Sequence, residues 1–417
     1  MDKIIIRGGA PLLGNVEISG AKNAALPIMA ATLLSSDPFT LSRVPKVVDL
    51  ATMKKLLRAM GAEIQEQNGI DTISIPKILS CEAPYEWVKT MRATILVLGP
   101  LLARHKEAHV SLPGGCAIGT RPVDLHLAGL TKMGAEIHVE HGMIHAKTKQ
   151  LKGATISFDK STVTGTENLM MAAVLAEGTT ILDNAAQEPE ITDLALFLNQ
   201  SGAKISGYGT DRIVIEGVSS LSGTTYSIMP DRIETGTYMA IAAITKGDIT
   251  LRGCRPEHLT AVISTLKKVG TTITMGKDWI RVLGKTIEAC DVKTQIYPEF
   301  PTDMQAQFMA LMAVSSGLSK ITETIFESRL NHAAELRRMG AQIYIKKNHA
   351  IVQGVRSLSG AKVLASDLRA SSCLILAGLV ATGETEITRV YHLDRGYEFI
   401  EEKLSKLGAN IKRVQSR

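Results

Sequence analysis

Met339-Gly340-Ala341-Gln342-Ile343 is one of six copies of a single phrase. The others read Met60-Gly61-Ala62-Glu63-Ile64, Met133-Gly134-Ala135-Glu136-Ile137, Ser201-Gly202-Ala203-Lys204-Ile205, Val269-Gly270-Thr271-Thr272-Ile273 and Leu407-Gly408-Ala409-Asn410-Ile411. The copies stand about 70 residues apart along the whole chain, the signature of a repeat architecture. Each phrase is a junction. Upstream of Gly61, residues Leu50, Met53, Leu56, Leu57 and Met60 recur at three- and four-residue spacing, so an amphipathic helix ends there. The glycine supplies the left-handed residue that closes a helix at least cost. Downstream of Gly340, Ile343 and Ile345 alternate with Tyr344 and Lys346, Lys347-Asn348-His349 turns, and Ile351-Val352 returns, which predicts a hairpin.

A second helix precedes each such unit and is richer in Ala, Met and Leu. The expected spans are Thr94–Ala103, Asn168–Ala176, Gly236–Thr245, Met304–Ser315 and Ser371–Ala381. Helices apolar nearly all round belong in a core. A β-rich segment such as Asp248-Ile249-Thr250-Leu251 follows each, so the unit is a βαβαββ module and the class is α/β, of the α+β kind. The sixth module stops before its returning strands, while Lys3–Arg7 and Asn15–Ser19 are strand-like and precede any helix. Residues 1–19 are therefore expected to complete the sixth module. That gives one domain of three repeats over 20–229 and a second over 1–19 plus 230–417. The two chain crossings imply a hinge, and the cleft between domains is the default ligand site.

Composition narrows the function classes. The 417 residues are 45% apolar, 21% charged and 4% aromatic, an ordinary globular balance. Lys and Arg number 47 against 41 Asp and Glu, a net charge of +6. That suits small anionic ligands and falls short of a nucleic-acid footprint. The longest apolar run, between Arg92 and Arg104, is about half the ~20 residues that a spanning helix needs. The start, Asp2-Lys3 and three isoleucines before Arg7, is too short for a signal peptide, so a cytoplasmic protein is expected. Five irregularly spaced cysteines read as free thiols.

Several polar residues break the apolar pattern. Lys22 and Asn23, within Ser19–Pro27, open an otherwise apolar helix and suit an anion; the plainer reading is a solvated first turn. Cys116 sits among Gly114, Gly115 and Gly119 with Arg121 nearby, a setting that favours a reactive thiol, whereas Cys373 lies in an apolar stretch. Asp231, Asp303 and Asp367 occupy matching places in successive modules, at helix starts. Asp there is ordinarily an N-cap, but three of them are also positioned to converge on the cleft. Asp367 with Arg369, and Asp394 with Arg395, are adjacent acid–base pairs that on a surface contribute little. His138, His141 and His145 fall in a hairpin whose alternation reads as a solvated face, not a metal site. No phosphate-loop, dinucleotide or zinc-protease motif is present.

At these residues the chain closely resembles the UDP-N-acetylglucosamine 1-carboxyvinyltransferase family of enolpyruvyl transferases. The resemblance runs essentially end to end, and Ser19–Pro27, Pro113–Pro122, Phe300–Gln305 and His392–Glu398 carry it. It implies two domains of three βαβαββ units each, an inside-out α/β barrel. It also implies enolpyruvyl transfer from phosphoenolpyruvate to the 3-hydroxyl of UDP-N-acetylglucosamine, the step that opens peptidoglycan synthesis. By the same resemblance Lys22, Arg121 and Arg395 hold the donor phosphate, Asn23 lies beside the sugar, Asp303 is the base and Cys116 the acid. Cys116 is also the residue alkylated by fosfomycin in that family. Arg92, the run Arg121, Pro122, Val123, Asp124 and Leu125, the run Lys160, Ser161, Thr162 and Val163, and Ile325 match nucleotide-sugar contacts. Asp367 and Arg369 match polar groups of the catalytic cleft. No cofactor and no metal is implied. One departure is that Thr164-Gly165-Thr166 follows Val163, where many members have Gly directly. Two other readings use the same modules. One is the sister transferase acting on shikimate 3-phosphate, which lacks the Cys loop; the other is a repeat-built RNA-binding protein, which the modest charge disfavours.

Overall fold

All six repeat glycines (61, 134, 202, 270, 340 and 408) have φ between +92° and +104°. The structure, a computed structural model, describes residues 2–67, 69–112 and 123–415. Each glycine closes its helix by the same pair of bonds. In the fifth copy Gly340 N donates to Arg337 O and Ala341 N to Leu336 O; in the first, Gly61 N donates to Arg58 O and Ala62 N to Leu57 O. This is the Schellman closure, and the residue that accepts the longer bond is Leu every time: 57, 130, 198, 266, 336 and 404. All six leucines are fully buried. The junction is thus a cap and an apolar anchor at once.

Among the described residues there are six four-stranded sheets of one pattern. In the third, Thr179–Asp183 pairs parallel with Thr155–Ser157 and antiparallel with Arg212–Glu216, which pairs antiparallel with Lys204–Ser206. The parallel edge strand always comes from the preceding repeat. Glu82–Ala83 joins Glu107–Ser111, and Thr225–Ser227 returns to Phe39–Ser42, so three sheets close on one another. The same closure links Val292–Lys293 to Leu318–Thr322 and Lys362–Leu364 to Glu384–Thr388.

The N-terminal strands divide their labour differently from the expectation that residues 1–19 complete the sixth module together. Lys3–Arg7 does so, lying antiparallel between Glu384–Thr388 and Asn410–Val414. Leu13–Glu17 instead pairs parallel with Asp248–Arg252, as the borrowed edge of the fourth sheet. The rule of borrowing from the preceding repeat accounts for this, because the segment after a returning strand always passes to the next sheet.

The chain divides into two compact units, one of residues 2–19 and 230–415 and the other of 20–67, 69–112 and 123–229. Each has its own apolar core. The Ala- and Met-rich helices fill those cores: Leu26 through Ala31 are all buried, as are Ile233 through Ile244. Three of these helices start earlier than their apolar pattern suggests, at Val163–Ala173, Arg232–Ile244 and Leu368–Val380. Their first turns are polar and are held by side-chain caps from Thr162, Asp231 and Asp367. Thr94–Ala103 resolves into a 3-10 helix, Arg92–Val97, and an α-helix, Leu98–His105.

Two glycine substitutions separate backbone strain from steric clash. At Gly340 (φ +92°) an added Cβ meets nothing, so Gly340→Ala should cost about 1–2 kcal/mol from the left-handed conformation alone. At Gly354 an added Cβ would lie 1.8 Å from Ser315 O, so Gly354→Ala should lower the urea midpoint further. Equal midpoints for the two variants would contradict the assignment.

Candidate active site

In the unit of 2–19 and 230–415, Asp303 lies between two guanidinium groups. Arg329 Nη2 donates to its Oδ1 at 2.5 Å and Arg369 Nη2 to its Oδ2 at 2.8 Å. The two arginine side chains are 6% and 7% exposed and the Asp303 side chain 26%, so the carboxylate is the accessible member of the cluster. Asp303 belongs to a 3-10 turn, Thr302–Met304, that leads into the buried helix Gln305–Ala313. Of the three matching aspartates it alone is not a cap. Asp231 Oδ1 accepts from Ile233 N and Glu234 N, and Asp367 Oδ1 from Arg369 N and Ala370 N. The Asp367 cap fixes the helix start from which Arg369 reaches Asp303.

A second ring of partners steadies the arginines. Arg369 Nη1 donates to Tyr397 OH at 3.2 Å, and that hydroxyl lies 2.8 Å from Thr237 Oγ1, which accepts from Gln307 Nε2. Arg329 Nη1 donates to Thr302 Oγ1 at 2.9 Å. Burial alone would raise the Asp303 carboxyl, but Arg369 and Arg329 outweigh it and hold it well below the usual carboxylate range. Burial likewise pulls Arg369 down, and Asp303, Tyr397 and Asp231 hold it above its ordinary value. Asp303 is therefore ionised at any working pH. It is always ready to accept a proton and is an intrinsically weak base.

The remaining expected residues of this unit are Ile325 and Arg395. Ile325 is half-buried, and its N–H donates to Glu323 Oε1 at 2.8 Å. Arg395 ends the 3-10 helix Val390–Arg395, whose Asp394 is gripped by Arg413 through Nη1 at 3.0 Å and Nη2 at 2.5 Å. Asp394, expected beside Arg395 as a weak surface pair, is thus tied to the C-terminal strand Asn410–Val414.

In the unit of 20–229, Lys22 begins the helix Lys22–Ala31, and its Nζ lies 3.1 Å from Oδ2 of the buried Asp49. Asn23 is half-buried in the same first turn, and no side chain caps the helix at Ala21. Arg92 is half-buried; Val123 is buried, Leu125 half-buried and Asp124 exposed at the start of Asp124–Lys132. Lys160 is exposed, and Ser161, Thr162 and Val163 are half-buried, with Thr162 Oγ1 accepting from Gly165 N. The departure residue Thr164 bonds inward: its Oγ1 lies 3.2 Å from Nε2 of His126. Asn168 Nδ2 faces His126 Nδ1 at 2.9 Å and donates to Ile95 O, while its Oδ1 accepts from Gly99 N. An amide donor at Nδ1 leaves the imidazole proton on Nε2, and burial pushes His126 down to about 4, so it is neutral. Cys116, Arg121 and Pro122 lie outside the described residues.

Sequence reasoning missed Arg329, Tyr397, Gln307, Thr237 and Asp49. Each is an isolated polar residue far along the chain from its partner, with no local signal beyond its presence on a buried face. The four described thiols, Cys81, Cys254, Cys290 and Cys373, are free, and burial pushes each up, Cys254 to about 11. None is a thiolate near neutrality. His145 stacks on His138, and its Nδ1 lies 2.8 Å from Nδ1 of His109. Among the described residues no group of three or more His, Cys, Asp or Glu is set to hold a metal ion, and no helix is long and apolar enough to cross a membrane.

The fold is that of solved enolpyruvyl transferases. It is similar to the enolpyruvyl transferase NikO from Streptomyces tendae, with a TM-score of 0.90 at 23% identity over 100% of this chain and 99% of that one. Two structures of EPSP synthase from Acinetobacter baumannii give TM-scores of 0.77 and 0.76 at 20% and 21% identity, over 100% of both chains in each case. The sequence profile of the EPSP synthase (3-phosphoshikimate 1-carboxyvinyltransferase) family matches residues 6–404, and the chain belongs to that family. Its reaction class is accordingly carboxyvinyl, or enolpyruvyl, transfer.

The Asp303 cluster makes a pH-dependent contribution to stability. Its folded carboxyl lies below the unfolded value of about 3.9, so the contribution is full above that pH and is lost as pH falls below it. Asp303→Asn leaves two buried guanidiniums without their anion, which should cost roughly 3 kcal/mol at pH 7. Urea unfolding of wild type and variant should converge as pH falls from about 4 toward 2. A difference independent of pH would contradict the ionised pairing.

Proposed function

We propose that this chain transfers the enolpyruvyl group of phosphoenolpyruvate to the 3-hydroxyl of UDP-N-acetylglucosamine and releases phosphate, the first committed step of peptidoglycan synthesis. The observation that carries the reading is Asp303, freed from a capping role and held between Arg329 and Arg369. Cys116 in its glycine-rich run supports the choice of acceptor, since the resemblance that singles it out is to the sugar-nucleotide enzymes.

The steps balance. The acceptor hydroxyl oxygen bonds to C2 of phosphoenolpyruvate, its proton passes to Asp303, and the C3 methylene takes a proton from Cys116 to become a methyl group. The tetrahedral ketal then returns a methyl proton to the Cys116 thiolate as the C2–O bond breaks, and the phosphate leaves with that bond's electron pair and the proton held by Asp303. A carboxylate pinned by two guanidiniums is a weak base, so the hydroxyl proton leaves late, once its oxygen has begun to bond to carbon and turned acidic. Lys22, Arg121 and Arg395 neutralise the phosphate, with Asn23 beside the sugar. Arg92, Arg121–Leu125, Lys160–Val163 and Ile325 serve the nucleotide sugar, and Asp367 and Arg369 line the reacting end. General acid and base groups of this kind contribute ~10²–10⁴-fold each, and the cationic clamp stabilises developing charge.

A second reading has one specific observation behind it: the family to which the chain belongs is that of EPSP synthase, the 3-phosphoshikimate 1-carboxyvinyltransferase. Phosphate release from phosphoenolpyruvate, with each acceptor offered in turn, separates the two. Release with UDP-N-acetylglucosamine alone is expected, and release with shikimate 3-phosphate alone would reverse the assignment. Asp303→Ala should lower kcat by about 10²-fold or more.

The thiol gives an independent test. With the four described cysteines held protonated by burial, an electrophile such as fosfomycin should modify Cys116 first. Cys116→Asp should keep turnover and lose inhibition, because a carboxylic acid can still donate the proton; Cys116→Ala should lose the alkylation and most of the turnover. Peptide mapping that found the first adduct on any other cysteine would overturn the assignment.

A further inference from the structure

Glu323 follows the strand Leu318–Thr322 and is 1% exposed. Its carboxylate accepts four hydrogen bonds from three separate segments. Oε1 takes Thr294 Oγ1 at 3.0 Å, Ile325 N at 2.8 Å and Phe326 N at 3.2 Å, and Oε2 takes Thr302 Oγ1 at 2.9 Å. Each partner has a further tie. Thr302 precedes Asp303, and its oxygen also accepts from Arg329 Nη1. The Arg329 guanidinium, which donates to Asp303, stands 5.1 Å from the centre of the Phe326 ring. Thr294 is fully buried and accepts from Thr324 N, and Asn348 Nδ2 holds the Glu323 carbonyl. The side chain therefore has fixed surroundings on every side.

The arrangement forms a chain of alternating sign, Glu323, Arg329, Asp303, Arg369, with the Thr302 hydroxyl relaying between the first two. A neutral amide would keep an oxygen for the three donors at Oε1, but it would turn an N–H toward Thr302 and leave Arg329 without the second anion that shares its charge through Thr302. A buried carboxylate is costly unless its donors are complete, and here they are. We propose that Glu323 is a positioning residue that holds Asp303 and the backbone at Ile325 in one fixed relation, so that the proton acceptor and the acceptor-contacting loop move together or not at all. The assignment rests on the functional reading above, in which Asp303 is the base and Ile325 contacts the nucleotide sugar.

Three variants of the full chain test it, read by steady-state kinetics and by amide hydrogen exchange. In Glu323→Ala, exchange at Ile325 and Phe326 should quicken about tenfold or more, and exchange in the segment around Asp303 should rise with it. Its KM for UDP-N-acetylglucosamine should rise and kcat should fall, each about tenfold or more, because small misplacements of reacting groups are expensive. KM for phosphoenolpyruvate should stay within about twofold, since Lys22 and Arg395 lie outside the Glu323 bonds. Glu323→Gln keeps an oxygen for Ile325 and Phe326, so it should retain amide protection and a near-normal KM. Thr302→Val cuts the relay alone and should lower kcat without raising that KM, which keeps the test alive if Glu323→Ala does not fold. The proposal is overturned if Glu323→Ala lowers kcat only in proportion to its folded fraction with both KM values unchanged. It is equally overturned if Thr302→Val turns over like wild type, or if exchange around Asp303 does not respond. A wild-type enzyme that releases no phosphate with the sugar nucleotide would defeat the functional reading instead, and the exchange data would still decide the coupling.

Discussion

Among the described residues, no repeat finishes its own sheet. Each takes its parallel edge strand from the repeat before it, and Thr225–Ser227 closing on Phe39–Ser42 shows the ring shut at three. In the other unit the same demand sends Leu13–Glu17 to Asp248–Arg252 and places Lys3–Arg7 in the last sheet. A single repeat would leave its central strand without a parallel partner and one side of an apolar helix uncovered; three together supply both. The fully buried helices follow from that closure, and so does the gathering of their polar first turns.

Those first turns are where structure and chemistry meet. A buried helix start needs partners for its free N–H groups. Asp231 and Asp367 supply them by capping, while the third repeat position solves the problem with a 3-10 turn and leaves the Asp303 carboxylate to Arg329 and Arg369. The same residue type at the same repeat position thus caps its helix twice and once lies between two guanidiniums instead. The cost is a buried network that must be satisfied throughout, which is why Tyr397, Thr237, Gln307 and Thr302 surround it.

The parts of this account that sequence made legible are local ones. The glycine junctions, the hairpins after them and the apolar helices depend on a few neighbouring residues, and so did the prominence of Asp303 and Lys22. The leucine that anchors every junction was legible too, always four residues before the glycine, but only the shared hydrogen bond gives it meaning. Helix starts ran late because capped first turns are polar and break the apolar pattern. The destination of Leu13–Glu17 was not legible, because alternation says that a segment is a strand and not which sheet accepts it. Arg329 and Glu323 were invisible for the same reason: their meaning lies in partners supplied by other segments of the chain. Thr164, a departure when read in sequence, is half of a neutral pair with His126 that packs a helix start.

In the reaction proposed for this chain a hydroxyl adds across the enol double bond and phosphate is then eliminated, so the former methylene carbon passes through a methyl group. Turnover in deuterium oxide with phosphoenolpyruvate and UDP-N-acetylglucosamine reads that intermediate directly. The account predicts deuterium in the vinyl methylene of the product, because the methyl group formed by solvent-derived protonation rotates before it loses a proton. Product formed at the normal rate with its methylene entirely protonated would contradict it.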